Sequence, residues 1–316
     1  MINQRFPICR LPDDICLEVI KTMDHYEMIS YSFVSKKAYA MVKSLRVSIV
    51  YNAIEMKELT EIKVVINHSR SICFKLTMRL QENDQEPTSF NDFPVSVNVS
   101  SDYLEGIDLT WSHQGLSLEQ WIEHMSSIFE HDYPIFLEFY IGETRLTKPS
   151  FRNTLPKFKY IVVIICDHEP KDEDILYAEN ILRDLLPVVE RARLHRVPLR
   201  KDFFVQHIGT ANLKDLYLQS GCNVKFDDLL TLNVESLTIE GTRSISLRDL
   251  NRLFKLWIKG SFPKLNHLWI EMKTIIKPDW NVLLKGLKAK EVGDHKAFII
   301  KTCRAVRAEI FLHYAD

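Results

Sequence analysis

Leu213-Lys214-Asp215-Leu216-Tyr217-Leu218, Val234-Glu235-Ser236-Leu237-Thr238-Ile239 and Leu265-Asn266-His267-Leu268-Trp269-Ile270 share one template: an apolar residue, then apolar residues three and five positions on. The second copy starts 21 residues after the first (213 to 234) and the third 31 after the second (234 to 265), so this is an internal repeat. Phe158, Ile161 and Val163 make an earlier copy, 55 residues before Leu213. The alternation predicts strands with one buried face. Residues 226–232 and 246–257 fall between the strands and have helical spacing; in the second, Ser246 and Asp249 stand where a capping box needs them. Further helices are expected over 173–186 and 279–287. Strand-then-helix units cannot bury their apolar faces singly, so neighbours must stack into one core. The expected class is α/β, with an irregular leucine-rich-repeat-like strand/helix domain over 51–316, since a spacing of 31 exceeds the usual ~20–29 residues of a regular horseshoe.

Alternation sends Leu216 and Leu218 inward and Asp215, Tyr217 and Gln219 outward. The matching outward sets are Ser236, Thr238 and Glu240, then His267, Trp269 and Glu271. Stacking gathers Tyr217, Thr238 and Trp269 into one ladder rimmed by acids, and outward aromatics on a rigid sheet suit a protein anchor. Tyr217, Thr238, His267, Trp269 and Glu271 are therefore the candidate substrate-binding residues. An equally weighted alternative has a loop or terminus of the chain covering them.

Working towards the N-terminus, a strand is expected over 135–141. A helix is expected over 117–129, with Ser117 as N-cap, Gln120 three residues on, and Leu118, Trp121, Ile122, Met125 and Phe129 on one side. Phe74, Leu76, Met78 and Leu80 alternate with polar residues, as do Val95, Val97 and Val99, and residues 81–91 form a polar loop. Leu11-Pro12-Asp13-Asp14 reads as a helix start, with Pro12 at the first helical position. Ile15, Val19 and Met23, flanked by Cys16 and Ile20, build an apolar stripe opposite Glu18 and Lys21. A second helix is expected over 27–33 and a third after Ser35, bearing Ala38, Met41, Val42 and Leu45. Each fully buried aliphatic side chain is worth about 1.5–3 kcal/mol, and Leu11, Ile15, Val19, Ile20 and Met23 exceed what three short helices can cover. The rest of the chain or another protein must supply the cover.

The 316 residues are 46% apolar and 26% charged, values of a folded protein of one large or two domains. Forty-one Lys and Arg against 42 Asp and Glu provide no global basic excess for nucleic acid. No phosphate-cradling glycine loop, nucleophile elbow or zinc-binding helix motif is present. The six cysteines are too scattered for a disulfide scaffold and read as small buried hydrophobes. His124 and His131 lack a third ligand, so no metal or cofactor is expected. Arg191, Arg193, Arg196, Arg200 and Lys201 form a local basic cluster, read as cations at a helix C-terminal end rather than a phosphate site. The N-terminus lacks the apolar segment of a secretory signal, and residues 160–166 fall short of the ~20 needed for a span. An intracellular protein, in cytoplasm or nucleus and off the membrane, is expected.

Phe6-Pro7, Arg10-Leu11-Pro12, Val19, Met23, Glu27, Ser32-Phe33-Val34-Ser35-Lys36-Lys37 and Val42-Lys43-Ser44-Leu45 together resemble an F-box over residues 5–50. Residues 234–239, with Leu250-Asn251, Phe254-Lys255, Trp257, Gly260, Pro263, Leu265 and Leu268, resemble the type-2 F-box-associated domain over roughly 135–280, and the order of the two is that family's order. The resemblance implies a substrate-recognition subunit of a cullin-RING ubiquitin ligase. Leu11, Pro12, Ile15, Val19 and Met23 then hold a Skp-type adaptor and through it a cullin, and the repeat sheet presents a protein for ubiquitination. It also implies no catalysis by this chain. Two alternatives stay open: a non-catalytic repeat scaffold whose N-terminal helices cap the sheet, and an enzyme using Asp167, His168 and Glu169 with the basic cluster.

Overall fold

The computed structural model describes residues 8–57, 59–78, 94–102, 108–112, 115–131, 135–142, 158–166, 169–219, 221–242, 245–272, 279–292, 297–301 and 307–310. They fall into two compact units dividing between Leu137 and Glu138, in a mixed α/β fold.

The first unit opens on three short helices. Pro12 is the N-cap of α1 (Asp13–Lys21), one position before its expected place, and Asp13 and Asp14 fill the first turn. α2 (His25–Ser32) starts two residues earlier than expected because Asp24 caps it: its carboxylate accepts from the Glu27 N–H at 2.8 Å, and Glu27 accepts from the Asp24 N–H at 3.0 Å. Ser35 caps α3 (Lys36–Ser44) by accepting from the Ala38 N–H at 3.1 Å.

After β1 (Ser48–Ile49) come β2 (Tyr51–Met56), β3 (Thr60–Asn67), β4 (Arg70–Met78), β5 (Pro94–Ser101) and β6 (Asp108–Ser112), an antiparallel meander in chain order. Ile72, Phe74, Leu76, Val97 and Val99 are buried on it. Val95 breaks its expected alternation and is 48% exposed. Thr77 pairs with Ser96 but Met78 with Pro94, so Val95 is the extra residue of a bulge and leaves the pleat. The loop expected over 81–91, like Leu80, lies outside the described residues. α4 (Leu118–Ile128) has the expected Ser117–Gln120 capping box and buries Trp121, Ile122 and Met125. β7 (Glu130–His131) then pairs in parallel with β1.

The division falls within β8 (Phe136–Ile141), and the second unit goes on through β9 (Tyr160–Ile165), α5 (Asp172–Leu185), β10 (Arg191–His195), α6 (Lys201–Phe203) with a π-helical turn over Phe204–Ile208, β11 (Asp215–Gln219), α7 (Phe226–Leu229), β12 (Ser236–Thr242), α8 (Leu247–Ile258), β13 (His267–Met272) and α9 (Trp280–Leu283). β14 (Lys290–Val292), β15 (Ala297–Lys301) and β16 (Arg307–Ile310) form a small antiparallel sheet. β9 to β13 lie side by side in chain order, all parallel. The inward rows are Ile161, Ala192, Leu216, Leu237, Leu268 and Val163, Leu194, Leu218, Ile239, Ile270.

β10 corrects the sequence reading. Arg191 and Arg193 do not trail a helix; they are the outward residues of a strand whose inward residues are Ala192 and Leu194. Val189, Ala192 and Leu194 form the copy that fills the 55-residue gap. A lone alanine between arginines carries little apolar signal in the sequence, although Ala192 is fully enclosed. Arg200 is held internally: its Nε donates to both oxygens of Glu179, at 2.9 and 3.0 Å, and that α5 carboxylate is completely buried.

Candidate functional site

Two surfaces carry the candidate residues, one in each unit. On α1, Cys16 and Ile20 face the interior, so the buried line runs beside the expected stripe rather than along it. Ile15 is left 47% exposed, Pro12 exposed, and Leu11, Val19 and Met23 half-buried. Val34, in the turn after α2, is 63% exposed; the sequence offers it only as part of the F-box-like run 32–37 and not as a candidate contact.

The rest of the helical trio is locked down within its unit. Phe33 stacks on the His124 ring at 4.0 Å between centroids and meets Trp121 at 4.7 Å. Tyr39 donates to Ser127 Oγ at 2.7 Å, and Trp111 Nε1 donates to Tyr26 Oη at 3.3 Å. Ser32 Oγ donates to the Ile29 carbonyl and lies 2.8 Å from His124 Nε2, which therefore donates to the hydroxyl oxygen. His124 is the packing residue that sequence reading had weighed only as a metal ligand.

Burial lowers the pKa of His124 to about 4, from 6.5. The unfolded chain therefore takes up this proton first as pH falls. The stabilisation is complete above pH 6.5, declines between 6.5 and 4, and is gone below. Allowing for screening of a ring partly open to water, the loss is on the order of 1–2 kcal/mol. Urea unfolding at pH 7.5 and 4.5 is expected to show that drop in the first unit, and His124→Gln to remove its share of it. His25, also lowered chiefly by burial, contributes in the same direction. An unchanged pH dependence in His124→Gln would contradict the assignment.

On the parallel sheet, register places Val162, Arg193, Tyr217, Thr238 and Trp269 in one outward row. Arg193, which the sequence reading assigned elsewhere, caps the Tyr217 ring at 4.4 Å and donates to Gln219 Oε1 at 3.2 Å. Tyr217 donates to Glu240, and burial, with that carboxylate beside it, pushes the phenol up to about 12. Tyr217 is thus half-buried and committed to neighbours. Trp269 is 41% exposed and His267 exposed, while Thr238 and Glu271 are half-buried. Among the described residues, no side-chain hydrogen bond reaches these four.

The described residues hold no cluster of three or more His, Cys, Asp and Glu fit for a metal ion. Asp167 and His168 lie outside them, and Glu169 is exposed. Cys16 and Cys222 are buried, and Cys222 donates to the Gln219 carbonyl at 2.9 Å. No helix among the described residues is long and apolar enough to cross a membrane.

Residues 8–49 match the family model of the F-box domain, and residues 204–270 match the model described as F-box associated. This chain carries an F-box and an F-box associated domain. Over 312 residues it is 22% identical to the F-box associated domain-containing protein sdz-33 of Caenorhabditis elegans, covering 98% of this chain and 93% of that one. No solved structure matches significantly. The F-box match takes in α1, α2 and α3, and the F-box associated match takes in β11, β12 and most of β13. Both families are in general non-catalytic adaptors.

Proposed function

We propose that this protein is the substrate-recognition subunit of a cullin-RING ubiquitin ligase of the F-box type. Leu11, Pro12, Ile15, Val19 and Met23 hold a Skp-type adaptor and through it a cullin, while Tyr217, Thr238, His267, Trp269 and Glu271 face the target. The observation that carries it is the apolar flank of α1, with Ile15 47% exposed, on helices matching a domain that generally binds such adaptors. Apolar side chains gathered along one helix flank and left partly open to water support that reading. The chain does no bond chemistry in this reading: it raises the effective concentration of a target lysine near a charged ubiquitin-conjugating enzyme. The compartment is intracellular, cytoplasm or nucleus. The parallel strands of the second unit serve as a leucine-rich-repeat-like platform without cofactor, metal or nucleic acid.

Affinity purification of the full chain with mass spectrometry tests adaptor and targets together. The adaptor is expected in the wild-type eluate and reduced at least about tenfold when Leu11 and Ile15 are both changed to aspartate. Ile15 is exposed enough for the change to leave the fold intact, which circular dichroism checks. Equal recovery by the double variant removes the contact.

The packing of Phe33, Ser32 and Tyr39 on α4 favours a second reading, a non-catalytic scaffold in which the helices only cap the unit. That reading expects deletion of residues 1–50 to unfold the first unit and no adaptor to be recovered.

A further inference from the structure

The final strand of the parallel sheet is its least covered. Leu216, Leu218, Leu237 and Ile239 are 0–2% exposed, whereas Leu268 and Ile270, which continue the same two rows on β13, are only half-buried. On the opposite face of the strand stands the exposed Trp269. Among the described strands, β13 has a neighbour on one side only, β12. The His267 N–H donates to the Glu235 carbonyl at 3.1 Å. Backbone groups of a parallel strand alternate in direction, so the N–H and C=O of Leu268 and Ile270 point to the free side. Natural edge strands are usually blunted by proline, lysine or an inward charge, and His267-Leu268-Trp269-Ile270-Glu271-Met272 has neither proline nor lysine. Charge decides the chemistry of the occupant. Glu240 and Glu271 belong to the face of Trp269, and neither β12 nor β13 contains a lysine or arginine.

We propose that β13 takes an extended segment of a target protein as an added strand, its apolar side chains continuing the rows of Leu268 and Ile270 and a lysine or arginine on the other face meeting Trp269 and Glu271. This rests on the receptor reading above and adds the mode and chemistry of recognition.

Three measurements on the full chain test it. In the free protein, the amides of Leu268 and Ile270 are expected to exchange on the order of 100-fold faster than that of Trp269, whose N–H is turned towards β12. Equal protection means that this chain already pairs its own edge, and the proposal falls. A nine-residue fluorescent probe alternating valine and lysine is expected to bind, with Trp269→Ala and Glu271→Lys each weakening it about tenfold. N-methylating one alternate set of probe residues is expected to abolish binding and the other set to leave it intact, because an added strand offers only every second residue to its neighbour. Indifference to both patterns, or no binding at all, overturns the added strand. Sedimentation is expected to show a monomer; a dimer lost in Trp269→Ala assigns the edge to a second copy and also overturns it. Target capture that still depends on Trp269 while the probe ignores N-methylation removes this inference alone. Target capture indifferent to Trp269 removes the receptor face itself.

Discussion

Replacing Trp121 with alanine lowers the stability of the first unit by about 3–5 kcal/mol, the usual loss when a buried tryptophan leaves a cavity its neighbours cannot fill. Trp121 is completely enclosed, and its ring lies 4.7 Å from Phe33, 6.3 Å from Phe74 and 6.2 Å from Trp111, centroid to centroid. It is thus shared by the F-box helices, the meander and α4, and its loss loosens all three. The control is Trp121→Phe. The indole Nε1 is buried with no hydrogen-bond partner among the described residues, so phenylalanine removes an orphan donor along with some volume, and the net cost is about 1–2 kcal/mol. Urea unfolding followed by amide exchange in α4 and β4 reads both values. Equal losses for the two variants would mean that volume at this position does not decide stability.

Trp257 inverts that contrast. It is buried in α8 and donates from Nε1 to the Leu265 carbonyl at 2.9 Å, tying the helix to the start of the strand that follows it. Trp257→Ala is expected to cost about 3–5 kcal/mol, as at Trp121. Trp257→Phe strands the carbonyl as well as losing volume, and is expected to cost about 2–3 kcal/mol, more than the same change at Trp121. The second readout is local: amides of β13 lose protection in Trp257→Phe while those of β10 keep theirs. Uniform loss across the sheet would show that this hydrogen bond does not position β13. A loosened β13 also carries Trp269 out of place, so target capture weakens in Trp257→Phe even where the fold persists.

Helix starts are legible where a serine caps the apolar period, and not at α2, where Asp24 opens the helix two residues before its expected start. Ser35, Ser117 and Ser246 each accept the N–H expected of them, because capping needs only a short polar side chain and the next turn. The parallel strands were legible where Leu, Val and Ile carried the alternation, and illegible at β10, where Ala192 does the same packing with almost no apolar signal. Val95 was misplaced because a bulge depends on the partner strand, which a single stretch of sequence does not contain. The candidate site followed the same division. The row of Tyr217, Thr238 and Trp269 followed from counting positions, whereas Arg193 entered it only through a neighbouring strand. Which side of α1 meets water was likewise invisible, since Ile15 and Cys16 are both apolar and adjacent.

Local chemistry thus settles the helices and strands whose apolar period is strong, the caps at Ser35, Ser117 and Ser246, and the inward or outward sense of most side chains on those elements, because periodicity and capping act over a few residues. Tertiary packing alone settled that Cys16 and Ile20 are enclosed while Ile15 stays open, that Arg200 is tied to Glu179, and that β13 ends its sheet with Leu268 and Ile270 half-covered. Burial is set by what arrives from distant parts of the chain. A residue's own neighbours along the sequence therefore cannot tell whether its apolar surface faces a core or a partner.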